Sequence, residues 1–301
     1  MKNWINTVKT ANYFQQFELI YKKIKHMIVC LFIALMVILV ISIAIGAIYF
    51  STLTTESDKL EDSEIRQAVI DFPGMENIDT TNQSLLEAYN HSENPLIVGP
   101  KNVSPYVTKA LISSEDSLYY SHNGILPKAL FRAIYQDIFN TDYTSGGSTI
   151  TQQLVKNQIL TNEKTYDRKA NEIMLALRLD RIMTKQEVLF TYLNIVPFRR
   201  DYNGNNITGI SSASYSLFGK HTSQLNIAES AYLIGLLQSP YYYTPYEEDG
   251  RLKSDEAVET SIQRQHYVLK RMLVEGHITR EEYKQAEKVD IKPRLMAHKP
   301  S

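Results

Sequence analysis

The chain has 301 residues, enough for one large domain or two small ones with a sizeable buried core. Hydrophobic residues make up 44% of it and charged residues 22%, a composition typical of a globular protein. The formal net charge is −1, with 32 Lys and Arg against 33 Asp and Glu, so nothing in the overall charge indicates a nucleic-acid partner.

The first 50 residues combine a basic segment with a long apolar run. Residues 1–26 carry five lysines against one acidic residue, Glu18. Residues 27–50 contain no charged side chain, and at about 1.5 Å per residue they can cross a hydrocarbon core of about 30 Å. A cleaved signal peptide is the alternative, but the run ends in Tyr49 and Phe50 rather than at a small-residue cleavage site, so we favour a retained anchor. The lysines predict a cytoplasmic N-terminus and an external chain after residue 50.

Residues 51–96 are acidic, rich in Ser, Thr and Asn, and only weakly periodic. This composition predicts a stalk or a loosely packed subdomain standing off the bilayer. The single cysteine of the chain, Cys30, lies in the apolar run, so the external part is expected to have neither a disulfide nor thiol chemistry.

From residue 104 onward the apolar residues recur at spacings of three and four, which predicts a mainly helical domain. The Asn- and Gly-rich stretch 202–209 predicts a loop. The predicted helices cover 104–117, 127–140, 148–160, 165–183, 185–195, 207–217, 224–238, 254–275 and 279–287.

The first chemically suggestive stretch is "EDSLYYSHNG", residues 115–124. Its adjacent acids, Glu115 and Asp116, precede an aromatic pair and a histidine, His122. One interpretation is an ordinary helix C-terminus. The other is that the aromatic pair shields a carboxylate, raises its pKa and lets it serve as a general base.

The second stretch is "GGSTITQQLVKN", residues 146–157. Its two glycines allow a tight turn and a close approach of ligand to backbone, and Thr149 with Gln152 forms the Thr-x-x-Gln pattern of a helix start. A helix N-terminus favours a bound anion, and Lys156 lies one turn beyond Gln152 on the same face. The alternative interpretation is a capped helix with a solvated polar face.

The third stretch is "RKANEIMLALRLD", residues 168–180. Arg168 and Glu172 are four residues apart, so they could form an exposed helical ion pair worth only about 0.3–0.5 kcal/mol. However, Lys164 and Lys169 add two further cations around the same carboxylate. This arrangement would also suit a pyrophosphate or a metal-pyrophosphate complex.

Together these motifs resemble those of the peptidoglycan glycosyltransferases of family 51. The matching features are Glu-Asp with a following His-x-Gly, Gly-Gly-Ser-Thr-Ile-Thr-Gln-Gln-Leu-x-Lys-Asn, Arg-Lys-x-x-Glu, "YLN" at 192–194 and "LNIAESAYLIGLLQSPYYYTPY" at 225–246. The resemblance extends over about residues 98–290. Such domains occur as monofunctional enzymes and as N-terminal domains of class A penicillin-binding proteins. The sequence leaves both forms open, with its stop after residue 301 slightly favouring a free-standing enzyme.

The resemblance implies a mainly α, lysozyme-like glycosyltransferase domain behind one N-terminal transmembrane helix. It also implies the bacterial cytoplasmic membrane as the location, with a single pass and an external catalytic domain. The expected order is a cytoplasmic basic tail at 1–26, a transmembrane anchor at 27–50, an acidic extracytoplasmic stalk at 51–96, a peptidoglycan glycosyltransferase domain at 97–290 and a C-terminal tail at 291–301.

Enzymes of this family join lipid II units into glycan strands. The acceptor 4-hydroxyl attacks the anomeric carbon of the growing chain, and undecaprenyl pyrophosphate leaves with inversion. By position, Glu115 matches the general base, and Glu172 matches a second catalytic carboxylate near the donor pyrophosphate. The implied substrate-binding residues are Asp116, His122, Arg132, Ser148, Thr149, Gln152, Gln153, Lys156, Asn157, Lys164, Arg168 and Lys169.

The resemblance also implies partners and a cofactor. A divalent metal, Mg²⁺ or Mn²⁺, is expected at Glu172. The expected partners are lipid II, the growing glycan strand and the membrane, together with transpeptidases or other cell-wall synthesis proteins, and no nucleic acid. The amphipathic stretch 124–139 resembles the family's membrane-dipping segment, with a plain core helix as the alternative.

Five positions depart from the family's usual residues and bear on rate and processivity: Tyr119, Leu126, Asp137, Asp180 and Ser211. The loop at 195–208 is also longer than usual and contains Arg199, Arg200 and Asp201. Two other functions stay open, a catalytically impaired lipid II-binding scaffold and a lytic muramidase. The cationic cluster argues against the muramidase, because glycoside hydrolysis has no pyrophosphate leaving group.

Overall fold

A computed structural model describes residues 2–76, 78, 83–129, 132, 147–161, 163 and 165–296. The chain divides into two compact units, Met1–Thr55 and Glu56–Ser301. Several predicted features lie outside the described residues, namely most of the helix at 127–140, most of the amphipathic stretch 124–139, Asp137 and Lys164.

The first unit contains one helix, α1, Lys2–Leu53. It has no proline, and the most apolar window of its segment Gln16–Leu53 has a mean hydropathy of 3.4 and is not buried. A helix satisfies its backbone hydrogen bonds internally, as a lipid environment demands. Among the described residues this helix alone is long and apolar enough to cross a membrane. The predicted transmembrane helix is thus confirmed in length and composition, although α1 continues on both sides of 27–50.

The second unit is mainly helical, which confirms the predicted fold class. Each helix predicted from residue 104 onward, apart from 127–140, is present with its ends shifted by at most three residues. The helices are α2 (Asp62–Ile70), α3 (Leu85–Asn90), α4 (Pro105–Glu115), α5 (Ile150–Gln158), α6 (Tyr166–Ile182), α7 (Lys185–Ile195), α8 (Ile210–Phe218), α9 (Ile227–Leu236), α10 (Pro240–Tyr243), α11 (Asp255–Val274) and α12 (Arg280–Glu287).

Two short strands, β1 (Pro197–Arg200) and β2 (Asn206–Thr208), form an antiparallel hairpin. The helix predicted to begin at 207 therefore begins only at Ile210, because residues 206–208 pair with β1 instead. Single turns of 3₁₀-helix lie at Ser57–Lys59, Pro100–Asn102, Tyr119–Ser121, Thr222–Gln224 and Lys292–Arg294.

Reciprocal side-chain caps start five of the described helices. In each, the capping side chain accepts the backbone N–H three residues later, and the side chain at that later position accepts the N–H of the cap. One good N-cap contributes about 1 kcal/mol. The pairs are Glu61–Glu64, Thr149–Gln152, Thr184–Glu187, Asn226–Glu229 and Thr279–Glu282.

Two groups of helices build the core and carry the motifs. Helix α9 packs against both α4 and α11, while α5 packs against α6 and α7. Burying one leucine side chain contributes about 1.5–3 kcal/mol. The helices that carry the first two motifs, α4 and α5, are therefore each held in place by packing against two other helices. Fully buried side chains in these helices include Leu111, Leu154, Leu175, Leu193, Ala231 and Leu269.

The acidic segment 56–96 differs from the predicted stalk. Helices α2 and α3 bury Ile65, Val69, Leu85 and Tyr89 in the core shared with the rest of the second unit. The Tyr89 hydroxyl lies 2.9 Å from Thr191 Oγ1 of α7. The apolar residues of this segment are few, but they recur at helical spacing and pack two short helices against the core. The acidic residues that dominate its composition lie mainly on the exposed face of these helices.

The Arg178 guanidinium of α6 fixes the start of the same segment. It donates to the carbonyl oxygens of Ser57 and Leu60 at 2.7 Å each, and it lies 2.6 Å from a carboxylate oxygen of Asp62. The segment is therefore held along its length by polar as well as apolar contacts.

The predicted C-terminal tail also packs on the second unit. Ile291 and Leu295 are buried, and the backbone N–H of Met296 donates to Leu217 O at 2.8 Å. The Arg294 guanidinium lies 3.1 Å from Glu229 Oε1, and burial of that carboxylate is outweighed by its cationic and backbone partners, which lower its pKa. Residues 291–296 thus belong to the folded unit.

Candidate functional site

Glu115 is the last residue of α4 and carries a largely buried carboxylate. Its Oε2 accepts a hydrogen bond from Gln153 Nε2 at 3.2 Å. Its Oε1 is buried without a hydrogen-bond partner among the described residues, although Arg264 NH2 lies 3.7 Å away. Burial raises the pKa of the Glu115 carboxyl; the Gln153 hydrogen bond and the Arg264 charge oppose this, and nearby Asp116 adds to it. A carboxylate with a raised pKa and an unused oxygen suits proton transfer.

A buried tyrosine fixes the orientation of Gln153. The Tyr192 hydroxyl of α7 donates to Gln153 Oε1 at 2.8 Å, so the amide nitrogen faces Glu115. Burial raises the pKa of the Tyr192 phenol well above its usual range, with a smaller contribution from the charge of Glu115. The Tyr192 phenol therefore keeps its proton at neutral pH and can donate it to Gln153.

Asp116 joins the first motif to the second. Both of its carboxylate oxygens lie within 3.0 Å of His122 Nε2, and Oδ2 accepts the backbone N–H of Ile150 at 3.1 Å. Asp116 therefore caps the N-terminus of α5, where negative charge is favoured. Asp116 and His122, both expected to bind substrate, are buried against each other and hold α5 next to Glu115.

The cap of α5 is anchored a second time, at Gly124. Thr149 Oγ1 donates to Gly124 O at 2.5 Å while accepting the Gln152 N–H at 3.1 Å. The predicted Thr-x-x-Gln cap is confirmed. Gly124 has a φ of +85°, and an added Cβ would lie 2.3 Å from the carbonyl oxygen of Ala176. Glycine is required there by both the backbone angle and the close contact with α6.

We expect Gly124→Ala to lower the free energy of unfolding by about 1–3 kcal/mol, because strained backbone and a clash with main-chain atoms combine. The measurement is thermal unfolding of the solubilised full chain. Gly276→Ala is the matched control, since Gly276 also has a positive φ, +73°, but its added Cβ meets nothing within 4 Å. Equal losses for the two variants would contradict the proposed close packing at Gly124.

The third motif forms a cationic cluster around Glu172 of α6. Glu172 is only 2% exposed. Its Oε1 accepts from Lys169 Nζ and, at 3.1 Å, from Gln152 Nε2, while Arg168 NH1 donates to Oε2 at 3.3 Å. Lys169 Nζ also donates to Ser148 Oγ at 3.2 Å. The cluster therefore joins α6 to the turn before α5, with Arg168 and Lys169 partly exposed to solvent.

The remaining predicted substrate-binding residues make no described contact with Glu115 or Glu172. Lys156 and Asn157 are exposed in the last turn of α5, and no ion pair of Lys156 is found in the described part of the chain. Arg132 is exposed, and Lys164 lies outside the described residues. The structure thus brings together two groups, one around Glu115 and one around Glu172, with α5 joining them.

The residues around Glu172 do not fit a metal ion held by the protein. Both carboxylate oxygens already accept from cationic side chains, and hard divalent cations prefer several oxygen ligands. In the ranges that the structure describes, no three His, Cys, Asp or Glu side chains converge as potential metal ligands. The expected Mg²⁺ or Mn²⁺ at Glu172 is therefore not supported by this donor set, which suits an anionic ligand better.

Three of the family departures have structural partners. Lys185 Nζ lies 2.6 Å from Asp180 Oδ1 and 4.8 Å from the centre of the Tyr119 ring, whose hydroxyl donates to Lys185 O. Ser211 Oγ donates to Pro95 O at 2.7 Å. These residues support the fold behind the site rather than entering it. Nothing in the structure explains the departure at Leu126.

Arg264 was missed by the sequence prediction, because it belongs to none of the three motifs. It lies on α11, and its guanidinium donates to Gln238 Oε1 at 2.9 Å and lies 4.3 Å from the centre of the Tyr267 ring. The available signal was its place beside Ser261 and Gln265, which are buried on the core-facing side of α11. An arginine next to such positions is expected to reach a buried acceptor.

Comparison with known proteins matches the same region. A family model described as Transglycosylase matches residues 82–273. The chain is 36% identical over 183 residues to penicillin-binding protein 1A of Escherichia coli (strain K12), covering 61% of this chain and 20% of that protein. It is 37% identical over 184 residues to penicillin-binding protein 1A of Aquifex aeolicus (strain VF5), covering 61% and 23%.

A third relative is penicillin-binding protein 1F of Bacillus subtilis (strain 168), 35% identical over 168 residues, covering 56% of this chain and 22% of that protein. The chain thus spans about a fifth to a quarter of the length of these curated relatives. The matched region contains the groups around Glu115 and Glu172 as well as Arg264.

Proposed function

The chain belongs to the transglycosylase family, and from this premise we propose that it is a peptidoglycan glycosyltransferase that polymerises lipid II into glycan strands. One observation carries the proposal. Gln152 and Gln153, adjacent residues of α5, hydrogen bond to different carboxylates, Glu172 and Glu115 respectively. A candidate base and a cationic cluster are thereby held at a fixed distance by one helix.

In the proposed reaction Glu115 removes the proton from the acceptor 4-hydroxyl. The hydroxyl oxygen forms a bond to the anomeric carbon of the growing chain as the bond from that carbon to the pyrophosphate oxygen breaks, so the configuration inverts. The electron pair of the broken bond leaves on undecaprenyl pyrophosphate, and the proton stays on Glu115 until it passes to solvent. Arg168 and Lys169 would stabilise the charge that develops on the leaving group.

Glu172 is proposed to act by positioning these cations. It touches both of them, and Ser148 holds Lys169 from the other side. The exposed Lys156 would add a further positive charge for the pyrophosphate. This assignment keeps the predicted donor-site role of the third motif without a protein-bound metal.

The membrane helix fits a reaction between lipid-linked substrates. A tethered enzyme meets such substrates at high effective concentration, because both are confined to the same surface. We propose a single-pass protein of the bacterial cytoplasmic membrane with its N-terminus inside, since the lysines of residues 1–26 precede the apolar run. Other cell-wall synthesis proteins, including transpeptidases, are proposed as partners.

The test is polymerisation of fluorescently labelled lipid II by the detergent-solubilised full chain, with products separated by length. Glycan polymer that a muramidase digests is the expected result. If lipid II binds but no polymer forms, the protein is a scaffold rather than an enzyme. Loss of turbidity from a purified cell-wall suspension, without polymerisation, would instead identify a lytic muramidase.

We expect Arg264→Met to shift the acid limb of the kcat/KM profile to higher pH. The positive charge of Arg264 opposes the rise in the Glu115 pKa that burial causes, so its removal raises that pKa further. The base is then ionised only at higher pH. Arg271→Met is the matched control, because Arg271 lies two turns along α11 and donates to Ser113 O of α4 at 3.1 Å without facing Glu115. The same acid limb in both variants would contradict the role of Arg264.

A further inference from the structure

A polar cavity of about 220 Å³ lies between the β1–β2 hairpin and the segment that runs from α10 to Lys253. It is lined by cations from both sides, Arg199 and Arg200 from the hairpin and Lys253 from the opposite segment, and by the exposed ring of Tyr241. The site described above is built instead by α4, α5, α6 and α11. The longer loop singled out in the sequence at 195–208 thus contributes a cavity wall.

The chain's own carboxylate already shows what this cavity attracts. Glu248 Oε1 lies 2.9 Å from Arg199 NH2 and 3.8 Å from Arg200 NH2, so one oxygen is shared by two guanidinium groups. The Glu248 side chain is 73% exposed, which makes its hold on the cations weak and easily exchanged. An incoming carboxylate that took its place would break only these contacts with Arg199 and Arg200.

Two buried groups of the cavity have unused hydrogen-bonding capacity. Thr244 is only 3% exposed, and its Oγ1 has no hydrogen-bond partner among the described residues. In the same part of the chain Arg200 Nε is buried and likewise unpaired, although its NH1 donates to Gly204 O at 2.8 Å. A buried polar group left unpaired costs stability, so each indicates a missing partner.

Contacts with neighbouring groups fix the positions of the cationic side chains that line the cavity. Arg199 has a φ of +81° and is the only non-glycine residue with positive φ in the described ranges; its guanidinium lies 5.2 Å from the centre of the Tyr241 ring. Lys253 Nζ donates to Tyr241 O at 3.1 Å. Burial lowers the pKa of Lys253, the charge of Glu247 opposes this, and the nearby Arg199 charge adds to it. A strained residue whose side chain forms part of a ligand-sized cavity is typical of a functional site.

We propose that this cavity binds the free carboxylate of a short peptide, which displaces Glu248 from Arg199 and Arg200 and accepts a hydrogen bond from Thr244. The volume admits one or two small residues, and the Tyr241 ring offers them an apolar surface. Glu247 and the displaced Glu248 remain at the rim, where they favour peptide N–H groups and disfavour a more highly charged phosphate. Lipid II carries a short peptide, the stem peptide, and we take this as the ligand; to that extent the inference rests on the proposed function.

The test is isothermal titration of the detergent-solubilised full chain with N-acetyl-Ala-Ala, in its L,L and D,D forms, and with the corresponding amides. We expect the free acid of at least one form to bind about ten-fold or more tightly than its amide, because a charge-assisted hydrogen bond is lost with the carboxylate. Arg200→Gln should weaken binding of the acid by a similar factor. Glu248→Gln should tighten it, because the internal competitor has lost its charge.

Arg251→Gln is the matched control. Arg251 belongs to the same segment, but it is exposed and pairs with Asp249, so its variant should bind as the wild type does. Glu115→Gln should also bind normally, which separates failure of this site from failure of the proposed polymerase. Equal affinity for acid and amide, no binding of either, tighter binding of inorganic phosphate, or weaker binding by Glu248→Gln would each overturn the proposal.

Discussion

Glu115→Gln is expected to reduce lipid II polymerisation by about 10²–10⁴-fold, the usual contribution of a general base. The amide has nearly the shape of the carboxylate and can still pair with Gln153, so the site keeps its geometry and loses only its proton acceptor. The measurement is the initial rate of polymer formation at several lipid II concentrations. The loss should appear in kcat, since the carboxylate acts on the reacting hydroxyl.

Stability provides the control for this variant. Burial raises the pKa of folded Glu115 above its unfolded value, so the stability that Glu115 adds at low pH is lost as pH rises through the folded pKa. Above the folded pKa the ionised carboxylate is therefore destabilising, and Gln removes that effect, partly offset because Arg264 loses its nearest negative charge. We expect Tm to change by no more than about 4 °C. An active variant, or an inactive one that has unfolded, would not support Glu115 as the base.

Glu172→Gln is expected to lower both activity and stability. A neutral amide cannot hold Arg168 and Lys169 together, so the cations lose the arrangement that would meet a pyrophosphate. We expect a loss of about 10²–10³-fold in kcat, comparable with removing one electrostatic contact to a transition state. Because the cations are partly exposed and solvent replaces some of the lost interaction, we expect the free energy of unfolding to fall by about 1–3 kcal/mol.

Asp180→Asn separates these two effects. Asp180 is another buried carboxylate on α6, about two turns beyond Glu172, and it pairs with Lys185 at 2.6 Å. Its variant should lose stability to a similar extent and keep its polymerisation rate. If Asp180→Asn proves as inactive as Glu172→Gln, the cluster around Glu172 matters for folding rather than for chemistry.

The helices of the second unit could be predicted because two local signals agree along the chain. Apolar spacing marks the buried faces, and pairs such as Thr184–Glu187 and Thr279–Glu282 mark helix starts. The hairpin at 197–208 could not be predicted in this way, because strands of three or four residues are too short to show an alternating pattern. The packing of segment 56–96 could not be predicted, because its few buried residues are separated by many acidic ones.

In the candidate site, too, residues within one short motif could be predicted from the sequence, whereas contacts between distant parts of the chain could not. The motifs contain Glu115, Glu172 and the neighbouring cations, because each set lies within one short stretch of chain. The contact of Glu115 with Arg264 joins residues far apart in the sequence, so the position of Arg264 beside buried residues of α11 could indicate that it turns inward but not which carboxylate it meets. The part played by Gln153 was equally hidden, since a glutamine can face either way until Tyr192 fixes its amide.

The fixed amide of Gln153 makes the two oxygens of Glu115 chemically unequal. Oε2 receives the N–H of Gln153, which leaves Oε1 as the oxygen that can take up a proton. Once that oxygen is protonated, the carboxyl no longer balances the positive charge of Arg264, 3.7 Å away. Arg264 therefore opposes the neutral state that burial favours, and in this way it helps the carboxyl to release its proton before the next sugar is added.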